Sequence, residues 1–321
     1  MRYLFGAIAS VAILYCDLSA QKSFTTAEIE NAKIELGRRL FYEADLSING
    51  TMSCATCHEQ KHAFTDTNAM HPGALGDPAK RNVPALANIA EFKNLTWADN
   101  SLSGLAEQAH APIKGTNPIE MGMNGYEGEI TKRLSQSECY KKLFKISFPK
   151  RSGAIDLDSV THALESFQKT LISKNSIYDK SIKNKTLLPT KSAQIGKELF
   201  FGSANCNSCH SAPLFSDDSF HIIESNYSTD SDLGLYEITK NSSDKYKFRT
   251  PSLRNVSLTA PYWHNGSVKS LRDAIIKHDI KEIKNLSSIE IGHIISFLHA
   301  LQDDSFITNP NFSKPPKECP Y

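Results

Sequence analysis

One module appears twice in this chain, and the repetition constrains the fold more than any other feature. Gly37-x-x-Leu40-Phe41-Tyr42 precedes Cys54-Ala-Thr-Cys57-His58 and then Phe64-Thr65-Asp66. Further on, Gly196-x-x-Leu199-Phe200-Phe201 precedes Cys206-Asn-Ser-Cys209-His210 and then Phe215-Ser216-Asp217. An internal repeat fixes the domain count before any motif is interpreted. The 321 residues suffice for two units of ordinary size, each with its own core. The polar run from Ser173 to Lys191 is the natural linker, so the halves are expected at residues 21–187 and 188–321, and Ser225 to Asp244 is a second polar loop.

Around the repeats the patterns are helical. Thr25-x-x-Glu28 is a capping box, with Ile29, Ala32, Leu36 and Leu40 following at near-helical spacing. A second helix is expected from Asp158, with Val160, Ala163, Leu164, Phe167 and Leu171 on one face, and a last one from the Ser287-x-x-Glu290 box with Ile291, Ile294, Ile295 and Leu298. No comparable strand alternation is present.

The Cys-x-x-Cys-His spacing places two thiols on one tight turn, at the separation of the two vinyl groups of a haem, with the following histidine in reach of the iron. Two such motifs inside a repeat imply two covalent c-type haems, on Cys54 and Cys57 with His58, and on Cys206 and Cys209 with His210. Zinc would want two more ligands nearby, and a redox Cys-x-x-Cys has no need of the histidine. The fold class is therefore mainly α, two tandem cytochrome c-like domains. All five methionines (Met1, Met52, Met70, Met121, Met123) lie in the first half, so a His/Met site built within the second half is excluded. Leu271, Ala274, Ile275 and His278 follow one another at i, i+3, i+4, i+7, which aims His278 from an apolar face towards the second haem as its other axial ligand. His293 and His299 lie off the apolar stripe of the last helix and read as surface residues.

Lys and Arg number 36 against 35 Asp and Glu, which gives no electrostatic case for nucleic acid or an anionic membrane surface. Met1 to Ala20 combine Arg2, an apolar run and a small-residue cleavage site, the pattern of a secretory signal, and no later stretch spans a bilayer. A soluble periplasmic protein is expected. Cys16 offers a lipid anchor as the second choice, although Tyr15 is a poor residue before such a cysteine. Cys139 and Cys319 are left over, and in an oxidising compartment could bridge the tail to the first half.

Further motifs fall in a fixed order: Arg81-Asn82-Val-Pro84, Leu95-Thr96-Trp97, Glu107-Gln108-Ala109, Pro118-Ile119-Glu120-Met121-Gly122, Thr250-Pro251-Ser-Leu253-Arg254-Asn255 and Pro261-Tyr262-Trp263-His264-Asn265-Gly266-Ser267. Together with the haem motifs they resemble the bacterial di-haem cytochrome c peroxidase and MauG superfamily over nearly the whole mature chain. Two segments, from Leu46 to His58 and from Leu95 to Gln108, look most like the methanobactin-associated di-haem branch, whose relatives oxidise a tryptophan on a small partner protein.

The resemblance implies that hydrogen peroxide reacts at the His58 haem, with Glu120 as acid/base and Gln108 orienting the peroxide or Glu120. Trp97 would relay electrons between the haems. An inter-domain calcium site would take the side chain of Asn82 and the carbonyls of Thr259 and Pro261. His278 stands where peroxidases carry Met and MauG-like enzymes carry Tyr, so the second haem is expected to be bis-His, a ligation of lower potential than His/Met. That favours a MauG-like oxidation of a partner protein over a peroxidase fed by a small redox protein. A pure electron-transfer cytochrome is the third alternative, needing His71, His62 or His110 as a sixth ligand. His71 is out of register with the removable ligand of peroxidases and reads as a surface-loop residue. Asn265 replaces the usual Asp.

Overall fold

A computed structural model describes residues 24–223 and 231–321. The stretch expected as a leader, Cys16 and part of the 225–244 loop lie outside the described residues. The chain is mainly helical, and the only ladder pairs Phe220–His221 antiparallel with Phe248–Arg249 among the described residues.

Each half is built on one helix pair. Thr26–Phe41 starts at the Thr25/Glu28 capping box and packs on Leu157–Gln168, whose N-cap is Asp156. Lys191–Phe201 packs on Ser288–His299, which starts at the Ser287/Glu290 box. The repeated glycine explains how closely these pairs approach. A Cβ on Gly37 would lie 1.9 Å from the Ala163 carbonyl oxygen, and one on Gly196 would lie 1.8 Å from that of His293. Only glycine lets backbone meet backbone in this way. His293 therefore sits in a helix contact, half-buried and hydrogen-bonded to Ser192 at 2.9 Å, and is not the surface residue its helical phase suggests.

Two hydrophobic clusters result, one drawing on residues 36–171 together with Phe306 and Phe312, the other on residues 188–301. The polar stretch expected as linker is ordered: Ile177–Asn184 is a helix with a Ser176/Asp179 capping box. Tyr178 packs its ring 5.2 Å from Phe215, and Arg254 pairs both guanidinium nitrogens with Asp179 at 2.8 and 2.9 Å.

Between the clusters lies a buried polar hub, to which each repeat contributes an equivalent asparagine, Asn88 and Asn255, both in the left-handed region at φ +59° and +60°. Asn88 exchanges two hydrogen bonds with the Ser173 backbone (3.0 and 3.1 Å), while Asn255 bonds the Ser173 hydroxyl (3.0 Å) and the Asp303 amide (2.8 Å). Every partner is satisfied, the condition under which a buried network rigidifies rather than destabilises. Beyond Asp303 the chain crosses back to the first cluster, where Cys319 forms a disulfide with Cys139. Among the described residues no helix is long and apolar enough to cross a membrane.

Candidate redox site

The two Cys-x-x-Cys-His segments adopt equivalent local structures. Cys54–Cys57 is one helical turn with Ser53 at its N-cap, and the His58 amide donates to the Cys54 carbonyl at 2.9 Å. In the second copy Cys206–Ser208 is a 3-10 turn, and the His210 amide donates to the Cys206 carbonyl at 2.9 Å. The histidine rings are fixed alike: Nδ1 of His58 meets the Phe64 carbonyl at 2.7 Å, and Nδ1 of His210 meets that of Phe215 at 3.0 Å. A carbonyl only accepts, so Nδ1 carries the proton and Nε2 is left with its lone pair, the tautomer a metal ligand needs. Phe64 and Phe215 hold φ at +63° and +54°, an unusual conformation for an aromatic residue that both copies retain.

None of the four motif cysteines is in a disulfide. Burial pushes Cys54, Cys57 and Cys206 up to about 12 and Cys209 in the same direction, with the charge of Glu120 adding to the first pair. Burial also lowers both histidines, His210 to about 4 with His278 beside it as a further cause. Neutral imidazoles able to bind a metal, beside thiols able to bond the edge of its carrier, suit a large, mostly apolar metal cofactor.

The second site is a cavity of about 370 Å³, lined by Cys206, Cys209, His210, His278 and apolar side chains including Leu253, Leu271, Ile275, Ile294 and Leu298. Its volume is that of a cofactor site. The His210 and His278 ring centres stand 6.5 Å apart. Two imidazoles on opposite sides of one metal, with bonds of about 2 Å, place their ring centres roughly 6 Å apart. The residues therefore fit a bis-His haem. Leu271–Ile276 ends two residues short of His278, earlier than the apolar spacing implies, because His278 turns its own Nδ1 back onto the Ala274 carbonyl at 2.7 Å.

Glu120 lies across from the first motif, on a loop whose backbone is bonded on three sides. Ala74 donates to the Glu120 carbonyl at 2.6 Å, Ile48 donates to that of Met121 at 2.8 Å, and Met121 donates to that of Pro112 at 2.9 Å. Glu120 is an exposed residue, yet the protein gathered around its carboxyl pushes that group above the usual range. Gln108 is on the Leu105–Lys114 helix that carries Pro112, and among the described residues no hydrogen bond joins it to Glu120. His71 stays on its loop, partly exposed, with its Nδ1 bonded to the Pro72 carbonyl at 2.8 Å.

Trp97 links the halves. Its indole N–H donates to the Asn82 carbonyl at 2.8 Å, and its own carbonyl accepts from the Arg249 amide at 2.8 Å. Superposing the repeats on Pro84 and Pro251 makes Asn82 and Arg249 equivalent positions, so Trp97 is bracketed by the same point of each copy. Asn82, Thr259 and Pro261 all line the cavity, and the Asn82 amide nitrogen is spent on the carbonyls of Asn68 (3.0 Å) and Ala69 (3.2 Å). The sequence reading missed Arg249. This guanidinium is 4 % exposed, donates from Nε to the Thr96 carbonyl at 3.1 Å, lies 5.0 Å from the Phe92 ring and is pushed down to about 10 by burial. Alignment of the repeats is the signal that would have found it.

This arrangement defines a two-haem c-type cytochrome. The profile of the di-haem cytochrome c peroxidase family matches residues 31–187. The chain is 32 % identical over 293 residues to the methylamine utilization protein MauG of Methylorubrum extorquens, covering 87 % of this chain and 80 % of that one. It is 30 % identical over 280 residues to the cytochrome c551 peroxidase of Pseudomonas aeruginosa, covering 85 % and 79 %. Among solved structures, a MauG-like protein associated with microbial copper homeostasis superposes with a TM-score of 0.83 at 33 % identity, covering 88 % of this chain and 93 % of the other. The diheme peroxidase BthA of Burkholderia thailandensis, at 20 % identity and a TM-score of 0.68 over 89 % and 90 % of the two chains, shares the fold. The chain belongs to the di-haem cytochrome c peroxidase and MauG family, whose members are peroxide-dependent oxidoreductases carrying two c-type haems.

Proposed function

We propose that this chain reduces hydrogen peroxide at the His58 side and draws the two electrons from a partner protein, in the manner of MauG-like enzymes. Cys54 and Cys57 would hold one haem with His58 as axial ligand, and Cys206 and Cys209 the other between His210 and His278, with residues 21–187 and 188–321 as the two haem domains. The haems supply the electron storage and oxygen-bond chemistry; the chain supplies protons, spacing and a path. One peroxide, two electrons and two protons give two waters. Glu120 would carry a proton from one peroxide oxygen to the other, a transfer suited to a carboxyl raised above its usual range. Gln108 orients Glu120 or the peroxide across the intervening space. Trp97, hydrogen-bonded to both halves, carries electrons between them. Asn82, through its remaining amide oxygen, and the carbonyls of Thr259 and Pro261 would take a calcium ion that sets the distance between the halves.

The observation that carries this reading is the His210/His278 pair. Bis-His ligation lowers the potential relative to His/Met, which suits a site that gives up electrons and retains oxidising equivalents. The electron source is then a protein side chain oxidised at a distance, and the resemblance of Leu46 to His58 and Leu95 to Gln108 to the methanobactin-associated branch favours a tryptophan on a small partner. The leader and the Cys139–Cys319 disulfide support a periplasmic setting. Stopped-flow spectra after one equivalent of hydrogen peroxide test the proposal. A two-electron-oxidised protein that persists for seconds and is discharged by two equivalents of ferrocyanide is expected. Fast saturable turnover with a reduced small cytochrome, and no such state, supports the peroxidase reading instead.

A further inference from the structure

The two axial histidines are backed differently. Phe215, which accepts from His210, is enclosed by Tyr178 at 5.2 Å and by Phe200, Phe201 and Phe297 at 6.0 to 6.4 Å between ring centres, none of them from the end of the chain. Phe64, which accepts from His58, meets Phe41 at 5.7 Å and is otherwise closed in by Phe306 at 5.6 Å and Phe312 at 6.4 Å, both from the far end of the chain. Gln60 lies inside the short loop between His58 and Phe64. Its Nε2 donates to the carbonyls of Phe306 (3.3 Å) and Asn309 (2.8 Å), and its Oε1 accepts from the Ser313 hydroxyl at 2.9 Å. The same terminal segment is fastened on either side of this contact. Tyr42 donates to the Phe312 carbonyl at 2.8 Å, and Cys319 is bonded to Cys139, 180 residues earlier.

We propose that residues 303–319 form a clasp that positions the axial histidine of the first haem, with Gln60, Phe306 and Phe312 as positioning residues. The inference rests on the reading of His58 as that ligand. The physical argument runs through one bond. Phe64 is in the left-handed region, a conformation its surroundings must hold, and its carbonyl is the acceptor for His58 Nδ1. A proton shared towards that carbonyl makes the imidazole a more basic ligand and lowers the potential of the metal it binds. Loosening the clasp frees Phe64, weakens the bond and raises that potential, while His210, whose backing ring touches no ring of residues 303–319, is unaffected.

Resonance Raman of the fully reduced, haem-loaded protein tests this. A five-coordinate ferrous haem shows an iron–histidine stretch and a six-coordinate one does not, so the band reports the first haem alone. Phe312→Ala is expected to move the band to lower frequency and to raise the potential of that haem, leaving the second unchanged. The double variant Cys139→Ser with Cys319→Ser, which opens no cavity in the aromatic cluster, is expected to shift the band less, in the same direction. If Phe312→Ala does not fold, the double variant decides alone. A band at the wild-type frequency in the folded variants overturns the clasp. A wild type without the band means a sixth ligand on the first haem, which overturns the open-site reading on which the clasp rests.

Discussion

Replacing Gly196 by alanine puts the repeat, the helix packing and the second haem cavity to one test. The added Cβ would lie 1.8 Å from the His293 carbonyl oxygen and 2.4 Å from its carbon, where ordinary contact begins at 3.4 Å. Both obstacles are backbone, so no side chain can swing away. The Ser288–His299 helix must retreat, carrying Ile294 and Leu298 off the cavity wall. Overpacking on this scale costs about 3 kcal/mol, offset by about 1 kcal/mol of improved helix propensity. A net loss of about 2 kcal/mol corresponds to a Tm fall of roughly 4–8 °C. Gly292, on the partner helix, is the control: nothing lies within 4 Å of its Cβ position, so alanine there contributes only propensity and raises Tm by roughly 2–4 °C. Thermal melts of the haem-loaded protein, followed by circular dichroism and at the Soret band, separate the two by sign. A Gly196→Ala protein that melts at or above wild type, or a Gly292→Ala protein that falls with it, would refute the packing argument.

Glu120→Gln is expected to slow the reaction with peroxide by roughly 10²–10⁴, read by stopped flow. The protein around the Glu120 carboxyl raises it, and the proton-accepting carboxylate is lost as pH falls through that raised value. The acid limb of the wild-type rate profile should therefore sit above the ordinary glutamate range and disappear in the variant. Asp179 shifts the other way: burial opposes it, but the hydrogen bonds from Arg254 and Ser176 prevail and hold it below its usual 3.8. Its folded value lies below its unfolded one, so its stabilisation is complete above the unfolded value and fades as pH falls through the folded one. Asp179→Asn should flatten that part of the acid-unfolding curve, and an unchanged curve would count against the pairing.

Much of the architecture was legible because it is encoded locally. Thr25/Glu28 and Ser287/Glu290 are reciprocal caps that announce a helix start within four residues, and both form. The Cys-x-x-Cys-His turns are equally local. The linker helix was missed because Ile177–Asn184 is polar in composition; its Ser176/Asp179 box was there to read, but Tyr178 and Arg254 hold it through distant contacts. The terminal segment was invisible for a related reason. Phe306 and Phe312 carry no periodic signal and find their partners some 240 residues away in sequence, at Phe64. Only the leftover pair Cys139 and Cys319 hinted at the crossing, and the disulfide forms. Helical phase places the His278 ring beside His210 although the helix ends before it. The phase held because the ring caps that same helix end.

Electron paramagnetic resonance of the purified ferric protein at low temperature, in wild type and His278→Ala, with and without hydrogen peroxide, tests the central assignment most directly. The account expects one high-spin haem and one low-spin haem, loss of the low-spin signal in the variant, and depletion of both ferric signals when peroxide is added to wild type. Two low-spin haems that ignore peroxide, with His71 the half-buried candidate for the extra ligand, would contradict it and make the protein an electron carrier.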